Sequence, residues 1–417
     1  MLKILKSSNS EAVDRLFGRR ATRLDQAEAV VRPIIEDVRL RGDAALVEHA
    51  RKLDGLEGDS VRVGRDDIRR AEKALSADFR SAIATAREQV SAFAELQKPR
   101  SWRKQVGDGV ELGQIVRPLD SVAAYVPGGR YPLPSTVMMT VLPAQAAGVR
   151  TISVASPGRN LETLGTAALL EVDNVFQMGG AQAIAAFAFG TETVPKAQRI
   201  VGPGNIYVAA AKKLLAGEVG IDFVAGPTEI VVIAGEGDPR RIAADMLAQA
   251  EHDTDAAAIL LTNSSELAEQ VCVEVESQLV DLPTADVARV AIDNNSALVV
   301  TETLDEAVEL SNRFAPEHLV IPDDSMLDSI DNAGSVFVGE WSAEAAGDYA
   351  SGPNHVLPTG GAAGLRGGLS VVDFLKVISV QRVSREGLKR LAPAITTLAR
   401  AEGLEAHARS IEVRLDV

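Results

Sequence analysis

Apolar residues recur at three- and four-residue spacing along 25–41 and again along 71–97, with charged residues between them. That is the period of a helix, and it predicts amphipathic helices in a strongly charged first hundred residues. From about Glu111 the texture changes. Short β-branched runs at 121–125, 151–155, 174–178 and 199–201 alternate with Ala-rich stretches of helical period. After Gly226-Pro227 the alternation resumes, with runs at 229–234, 256–261, 297–300, 318–321 and 335–338. Strands alternating with helices over short connections predict α/β units built on largely parallel sheets, and two such sets predict two α/β domains. Beyond Gly368 the pattern is mostly helical and ends in a strand-like run at 410–415. No repeat of fixed period is present.

Composition narrows this picture. A chain of 417 residues is long for one domain. Hydrophobic residues make up 46% but aromatics only 4%, so Ala, Val, Leu and Ile do the packing, as suits helices laid on a parallel sheet. The net charge of -15, with no long basic run, argues against nucleic acid and anionic membranes as partners. No apolar stretch of about 18 residues predicts a membrane span. The first ten residues lack the apolar core and small-residue cleavage site of a signal peptide. The one cysteine, Cys272, rules out an intrachain disulfide and a Cys-based zinc cage, and makes the cytoplasm the default location. It lies in an amphipathic stretch, 267–276, where a small packed hydrophobe is favoured over a nucleophile.

The candidate chemistry lies with the histidines. There are five, and four stand near acidic or amide side chains: His252 after Gln249 and Glu251, His318 after Glu317, His355 after Asp348, and His407 after Glu402. Imidazole and carboxylate are ligands suited to zinc, and His beside Glu is common apparatus for moving protons near neutral pH. Gln249 and His252, three apart in a helical stretch, share a face and could grip one ion or lie at a solvated helix end. Glu317-His318 opens an apolar strand after Pro316, where neighbouring side chains point apart. Asp348 and His355 fall in a Gly-, Ser-, Pro- and Asn-rich run that reads as a loop. Glu402 and His407 share no helix face unless Gly403 breaks the helix. His49 reads as helix surface or packing. Two glycine turns, 125–129 and 201–205, follow strands, and the second opens a helix at 206–215. Free N–H groups there could face a pyrophosphate, although the third glycine of the dinucleotide fingerprint is missing.

Together these strings resemble histidinol dehydrogenases. Tyr125-Val-Pro-Gly-Gly, Gly179-Gly-Ala-Gln-Ala-Ile-Ala-Ala, Ile200-Val-Gly-Pro-Gly-Asn-Ile-Tyr-Val, Ala225-Gly-Pro-Thr-Glu-Ile, Ala248-Gln-Ala-Glu-His-Asp, Ala315-Pro-Glu-His-Leu and the run from Gly347 through His355 come in the family's order. The resemblance implies a zinc-dependent, two-step oxidation of L-histidinol through histidinal to L-histidine with two NAD, the last step of histidine biosynthesis. It implies Gln249, His252, Asp348 and His407 as ligands of one Zn2+ per subunit, His407 coming from the other chain of a homodimer with shared active sites. Glu317 and His318 resemble the acid–base pair. Tyr125, Gln182 and Asn205 align with NAD contacts. Thr228, Gln249, His252, His318, Asp348, His355, Glu402 and His407 fall at substrate positions.

The resemblance implies two Rossmann-like α/β domains with parallel-sheet cores, plus small helical N- and C-terminal segments used in dimerisation. The expected division is an N-terminal segment 1–22, a metal and catalytic domain made of 23–115 and 229–368, an NAD-contacting domain 116–228, and a C-terminal segment 369–417 carrying His407. Two departures stand out. Thr228 replaces a Ser common in the family but keeps the hydroxyl, and the 363–369 run differs and carries no assigned role. The rival readings are a paralogue oxidising another small alcohol such as a sulfonated diol, which is expected to lose the Ala-Pro-Glu-His context, and a zinc hydrolase using Glu317, which would not need Tyr125, Gln182 and Asn205 together. A non-enzymatic binding protein would not need a competent residue at every catalytic position.

Overall fold

The structure is a computed structural model that describes residues 2–18, 24–128 and 131–415. Gly129, the end of the first glycine turn, and residues 19–22 at the expected first boundary lie outside them.

Two parallel sheets organise the chain. In the first, six strands run in the order Lys3–Lys6, Ala297–Val300, Ala257–Thr262, Glu229–Ile233, His318–Ile321, Ser335–Val338. In the second, five run Asn174–Gln177, Thr151–Ser156, Ser121–Tyr125, Arg199–Val201, Gly220–Ile221. Every pairing within both sheets is parallel. Apart from the edge strand Lys3–Lys6, each sheet starts at its middle, winds outward on one side and then crosses to the other. This is the doubly wound arrangement that the strand–helix alternation predicts. The central strands Glu229–Ile233 and Ala257–Thr262 are buried along their whole length, as a sheet covered on both faces requires.

The N-terminal helices differ from the expected grouping. Leu24–Arg41 and Asp43–Leu53 pack on the helices Gly180–Phe189 and Ile206–Leu215 of the second sheet, where Val31, Ile35 and Leu46 share one core with Ile184, Phe187 and Ile200. Arg65–Ala74 and Ala77–Leu96 cover that sheet's other face through Ile68, Ile83 and Val90. Residues 24–96 thus pack with the second sheet rather than with the first. Lys3–Lys6 and the following helix Ser10–Gly18 belong to the first sheet instead, where Val13 and Leu16 pack on Val299 and Ile321. The helical stretch 71–97 is two helices, because Leu75 is extended and Ser76 caps the second by accepting from the Phe79 amide.

A third element is absent from the pattern. Trp102–Gly107, Val110–Pro118 and Leu375–Val383 form an antiparallel three-stranded sheet whose residues are mostly exposed, so no inward–outward alternation marks it. The strand-like 410–415 run is helical, within Glu405–Leu415, which packs on Arg385–Ala401. In that pair of helices only Gly387, Ala399, Ala408 and Leu415 are buried, and Leu398 and Val413 stand exposed. No helix among the described residues is long and apolar enough to cross a membrane.

Candidate active site

The first sheet's site is built at the amino ends of two neighbouring strands, Glu229–Ile233 and His318–Ile321. Helix Leu304–Phe314 stops at Ala315, which adopts left-handed φ of 51°, and Pro316 then prevents renewed helix. The chain enters the strand at His318, which pairs with Ile230, so Glu317 arrives beside Glu229. One Glu317 oxygen, Oε2, accepts from the Glu229 amide at 2.9 Å and from the Thr228 hydroxyl at 2.5 Å. The Gln249 amide in turn donates to Thr228 Oγ1 at 2.6 Å. Glu317 and His318 do not diverge as adjacent strand residues would, for Glu317 precedes the strand and its Oε2 lies 3.6 Å from His318 Nδ1. That Nδ1 also faces the Glu229 carbonyl at 3.3 Å.

Asp348 lies on a short helix, Glu344–Tyr349, rather than on a loop. This helix presses on strand Ser335–Val338 at Gly347, where an added Cβ would come within 2.6 Å of the Phe337 ring. Its carboxylate is 3.6 Å from His252 Nε2 and 3.7 Å from His318 Nε2. Its carbonyl meets His355 Nδ1 at 2.8 Å, and His355 Nε2 meets the Thr136 hydroxyl at 3.3 Å. Gln249 lies in helix Pro239–Ala250, but His252 lies past its end, so the two reach the site without sharing a helix face.

Charge makes this a strongly perturbed cluster. Burial alone would depress His318, but Glu317, Asp348 and Glu344 outweigh it and hold the ring up at about 9. Burial raises Glu317 above the carboxylate range and, with Asp348, brings Glu344 to about 7. Asp348 stays far below the usual range despite burial, because His252 and His318 bond its charged form, and the same contact raises His252. Burial lowers His355.

A stability prediction follows for the metal-free protein. The folded value near 9 lies above the ordinary 6.5, so the charged ring stabilises fully below about pH 6.5 and loses that contribution as pH rises through about 9. The loss is on the order of 3 kcal/mol. Denaturant midpoints of the parent and of His318→Asn, compared between about pH 6 and pH 10, should converge at the alkaline end. A constant difference would refute this assignment.

The donors fit a divalent cation. Gln249 is fully buried, its nitrogen is bound to Thr228, and its Oε1 is left without a hydrogen-bond partner. Ligand atoms of His252, Glu344 and Asp348 lie within 4.8 Å of one another. An orphaned amide oxygen beside carboxylate and imidazole is a hard-to-borderline donor set suited to zinc.

Asn205, Thr228, His252, Glu317, His318, Asp348 and His355 all line one cavity of about 580 Å3, which also touches Pro203, Gly204 and Phe223. Tyr125, Gln182, Glu402 and His407 do not line it. Glu402 and His407 are exposed on either side of Gly403, whose φ of 76° breaks the helix between them. Asn205 stands at the carboxyl end of Arg199–Val201, beside Ser121–Tyr125, where the second sheet changes winding direction; that is where doubly wound sheets bind ligands. The first sheet offers the amino ends of the equivalent strands.

The helix N-termini are not open to a pyrophosphate. Asn205 Oδ1 accepts from the Tyr207 and Val208 amides. At a third glycine turn, 179–180, which opens helix Gly180–Phe189, Asp54 Oδ2 accepts from the Gly179 amide and from Gln182 Nε2, both at 2.9 Å, and the Tyr125 hydroxyl accepts from the Gly180 amide. Neither helix end is therefore a bare anion site. Asp54 and Glu344 escaped the sequence reading. Asp54 is one acid at a helix end among many, whereas Glu344 and Asp348, four apart on one helix, were a legible signal.

Comparison with known proteins decides the family. The histidinol dehydrogenase family model matches residues 18–415. The chain belongs to the histidinol dehydrogenase family. A histidinol dehydrogenase of Geobacter sulfurreducens is 48% identical over 401 residues, 94% of each chain. That of Thermus thermophilus is 49% identical over 411 residues, 97% of this chain and 99% of the other. The crystal structure of histidinol dehydrogenase from Elizabethkingia anophelis superposes with a TM-score of 0.95 at 37% identity, covering 100% of this chain and 98% of that one.

Proposed function

We propose that this cavity oxidises L-histidinol through histidinal to L-histidine with NAD. The observation that carries the reading is the buried Glu317–His318 pair opening into the cavity that the second sheet's ligand crevice also lines. Gln249, His252 and Asp348 would hold zinc, with His407 supplied by a second copy of the chain. Glu344, already within the carboxylate–imidazole cluster, closes its far side. Zinc bound there would anchor the substrate imidazole and amine as a Lewis acid, and NAD would accept the hydrogen lost from carbon.

The chain's own residues handle the protons. With a bound cation offsetting the carboxylates that keep the metal-free ring protonated, His318 is neutral and takes the hydroxyl proton as the alcohol carbon is oxidised. Its Nδ1 faces a backbone carbonyl and Glu317, which orient the ring and stabilise the charge it gains. Glu317, held by Thr228 and the Glu229 amide, then draws a proton from the water that adds to the aldehyde. With Cys272 half-buried in the distal core of the first sheet, no thiol serves the aldehyde step. Asn205 contacts NAD, and Tyr125 and Gln182, expected contacts that do not line the cavity, support the site from behind through the 179–180 turn. Thr228, His355 and the second chain's Glu402 frame the substrate. The exposed apolar residues of the C-terminal helices support a homodimer, since a face with so little inside it gains by association. An NAD-linked chain with one cysteine fits the cytoplasm.

Alcohol to acid removes four electrons, so purified protein given zinc, NAD and L-histidinol should release two NADH for each histidine. Absence of NADH would refute the reading, and NADH without histidine would refute the two-step use of Glu317.

A further inference from the structure

Lys212 and Asp222 form an ion pair that the catalytic reading leaves unused. Their side chains are 3% and 0% exposed. Lys212 Nζ donates to Asp222 Oδ1 at 2.6 Å and to the Gly202 carbonyl at 2.5 Å. Asp222 Oδ2 accepts from the Gly202 amide at 2.7 Å, and its Oδ1 also takes the Phe223 amide. Both polar backbone groups of Gly202 are therefore gripped by one buried pair. Gly202 itself has φ of 110°, and a Cβ there would lie 2.1 Å from the Tyr125 carbonyl oxygen. It starts the turn that leads through Pro203 and Gly204, on the cavity wall, to Asn205. The otherwise unassigned 363–369 run braces the same point: Arg366 donates to the Asp222 carbonyl at 2.5 Å and is anchored by Asp373.

A buried ion pair is a poor way to gain stability, because desolvation offsets the attraction and apolar residues of similar volume often serve as well or better. What an apolar pair cannot do is hold a glycine by both its N–H and its C=O. We infer that Lys212 and Asp222 are positioning residues for NAD, fixing the Gly202–Asn205 turn so that Asn205 meets the nucleotide in a preset place. This rests on the assignment of Asn205 to NAD.

The test uses Lys212→Met with Asp222→Leu, an apolar pair of similar volume, alongside Asp222→Asn, which keeps shape and an acceptor but loses the charge. Asn205→Ser, which keeps a cap for the helix, serves as the control. The double variant leaves the Gly202 N–H and C=O and the Phe223 N–H without these buried partners, so it should unfold below the parent temperature, and in the folded protein its NAD KM and its NADH dissociation constant from fluorescence should rise about tenfold or more. Its KM for histidinol and its kcat at saturating NAD should stay within about threefold. Hydrogen exchange at the Gly202, Gly204 and Asn205 amides should quicken in both variants. Asp222→Asn should raise the NAD KM several-fold. A folded variant that binds NADH like the parent, while Asn205→Ser binds it weakly, overturns the positioning role alone. Normal binding by Asn205→Ser overturns the NAD assignment and the inference with it. Equal rises in KM for both substrates also overturn the inference, since they mark a general loss of structure.

Discussion

Replacing His318 with asparagine is expected to lower kcat by about 10²–10⁴-fold, the usual worth of a positioned acid–base group. The ring is 4% exposed and is set by contacts on both nitrogens, with Nδ1 toward the Glu229 carbonyl and Glu317 and Nε2 toward Glu344 and Asp348. Asparagine can keep one polar contact with the strand but cannot take up the hydroxyl proton. It is also too short to reach the Glu344–Tyr349 helix as the ring does. Metal content should be retained, because Gln249, His252 and Asp348 remain, and the NAD crevice lies on the other sheet. The first-turnover rate of NADH formation, followed by stopped flow, reads the step directly. A rate within tenfold of the parent would place the base elsewhere.

The second large effect concerns the two histidines that the single chain keeps apart. His252 lines the cavity, whereas His407 is exposed on the Glu405–Leu415 helix and does not line it. If each site is completed by the other chain, His252→Asn and His407→Asn should each lose zinc and nearly all activity. A mixed dimer should regain one intact site, built from the His252 of one chain and the His407 of the other. Random re-pairing of equal amounts makes half the dimers mixed, each with one of two sites whole, so activity should return to about a quarter of the parent. Metal analysis should show the same recovery. Verified mixed dimers with neither zinc nor activity would end the shared-site reading.

How much of this was legible follows from which forces leave a mark on sequence. Strands buried on both faces declare themselves as apolar runs, and nine runs from 121–125 to 335–338 fall on strands. The antiparallel sheet of 102–118 and 375–383 left no mark because its faces are mostly exposed, and the pattern it lacks is created by burial. The 410–415 run alternates by chance, and the helix wins there by docking on Arg385–Ala401. Periodicity showed that the N-terminal residues were helical but not which sheet they cover, since an amphipathic face states that it has a partner without naming it. Within the site, the helix face expected from the Gln249–His252 spacing is not formed, because His252 lies past the helix end, but glutamate beside histidine was visible. The left-handed Ala315 that brings Glu317 back onto His318 was not, and neither was the distant Asp54 that fills the 179–180 helix end.

The placement of Lys3–Lys6 in the first sheet has a bearing on how the protein is made. Its neighbour is Ala297–Val300, so the edge strand leaves the ribosome first and waits for nearly three hundred residues before it can pair. Most of the second unit, from Leu24 to Ile221, is synthesised within that interval, but Leu369, Val371 and Phe374 of its core come only afterwards. Domains generally fold as units while the chain emerges. The inserted unit therefore has most of its core before the first sheet has two adjacent strands, and it is finished only when the 369–374 segment, which follows that whole sheet, docks on it.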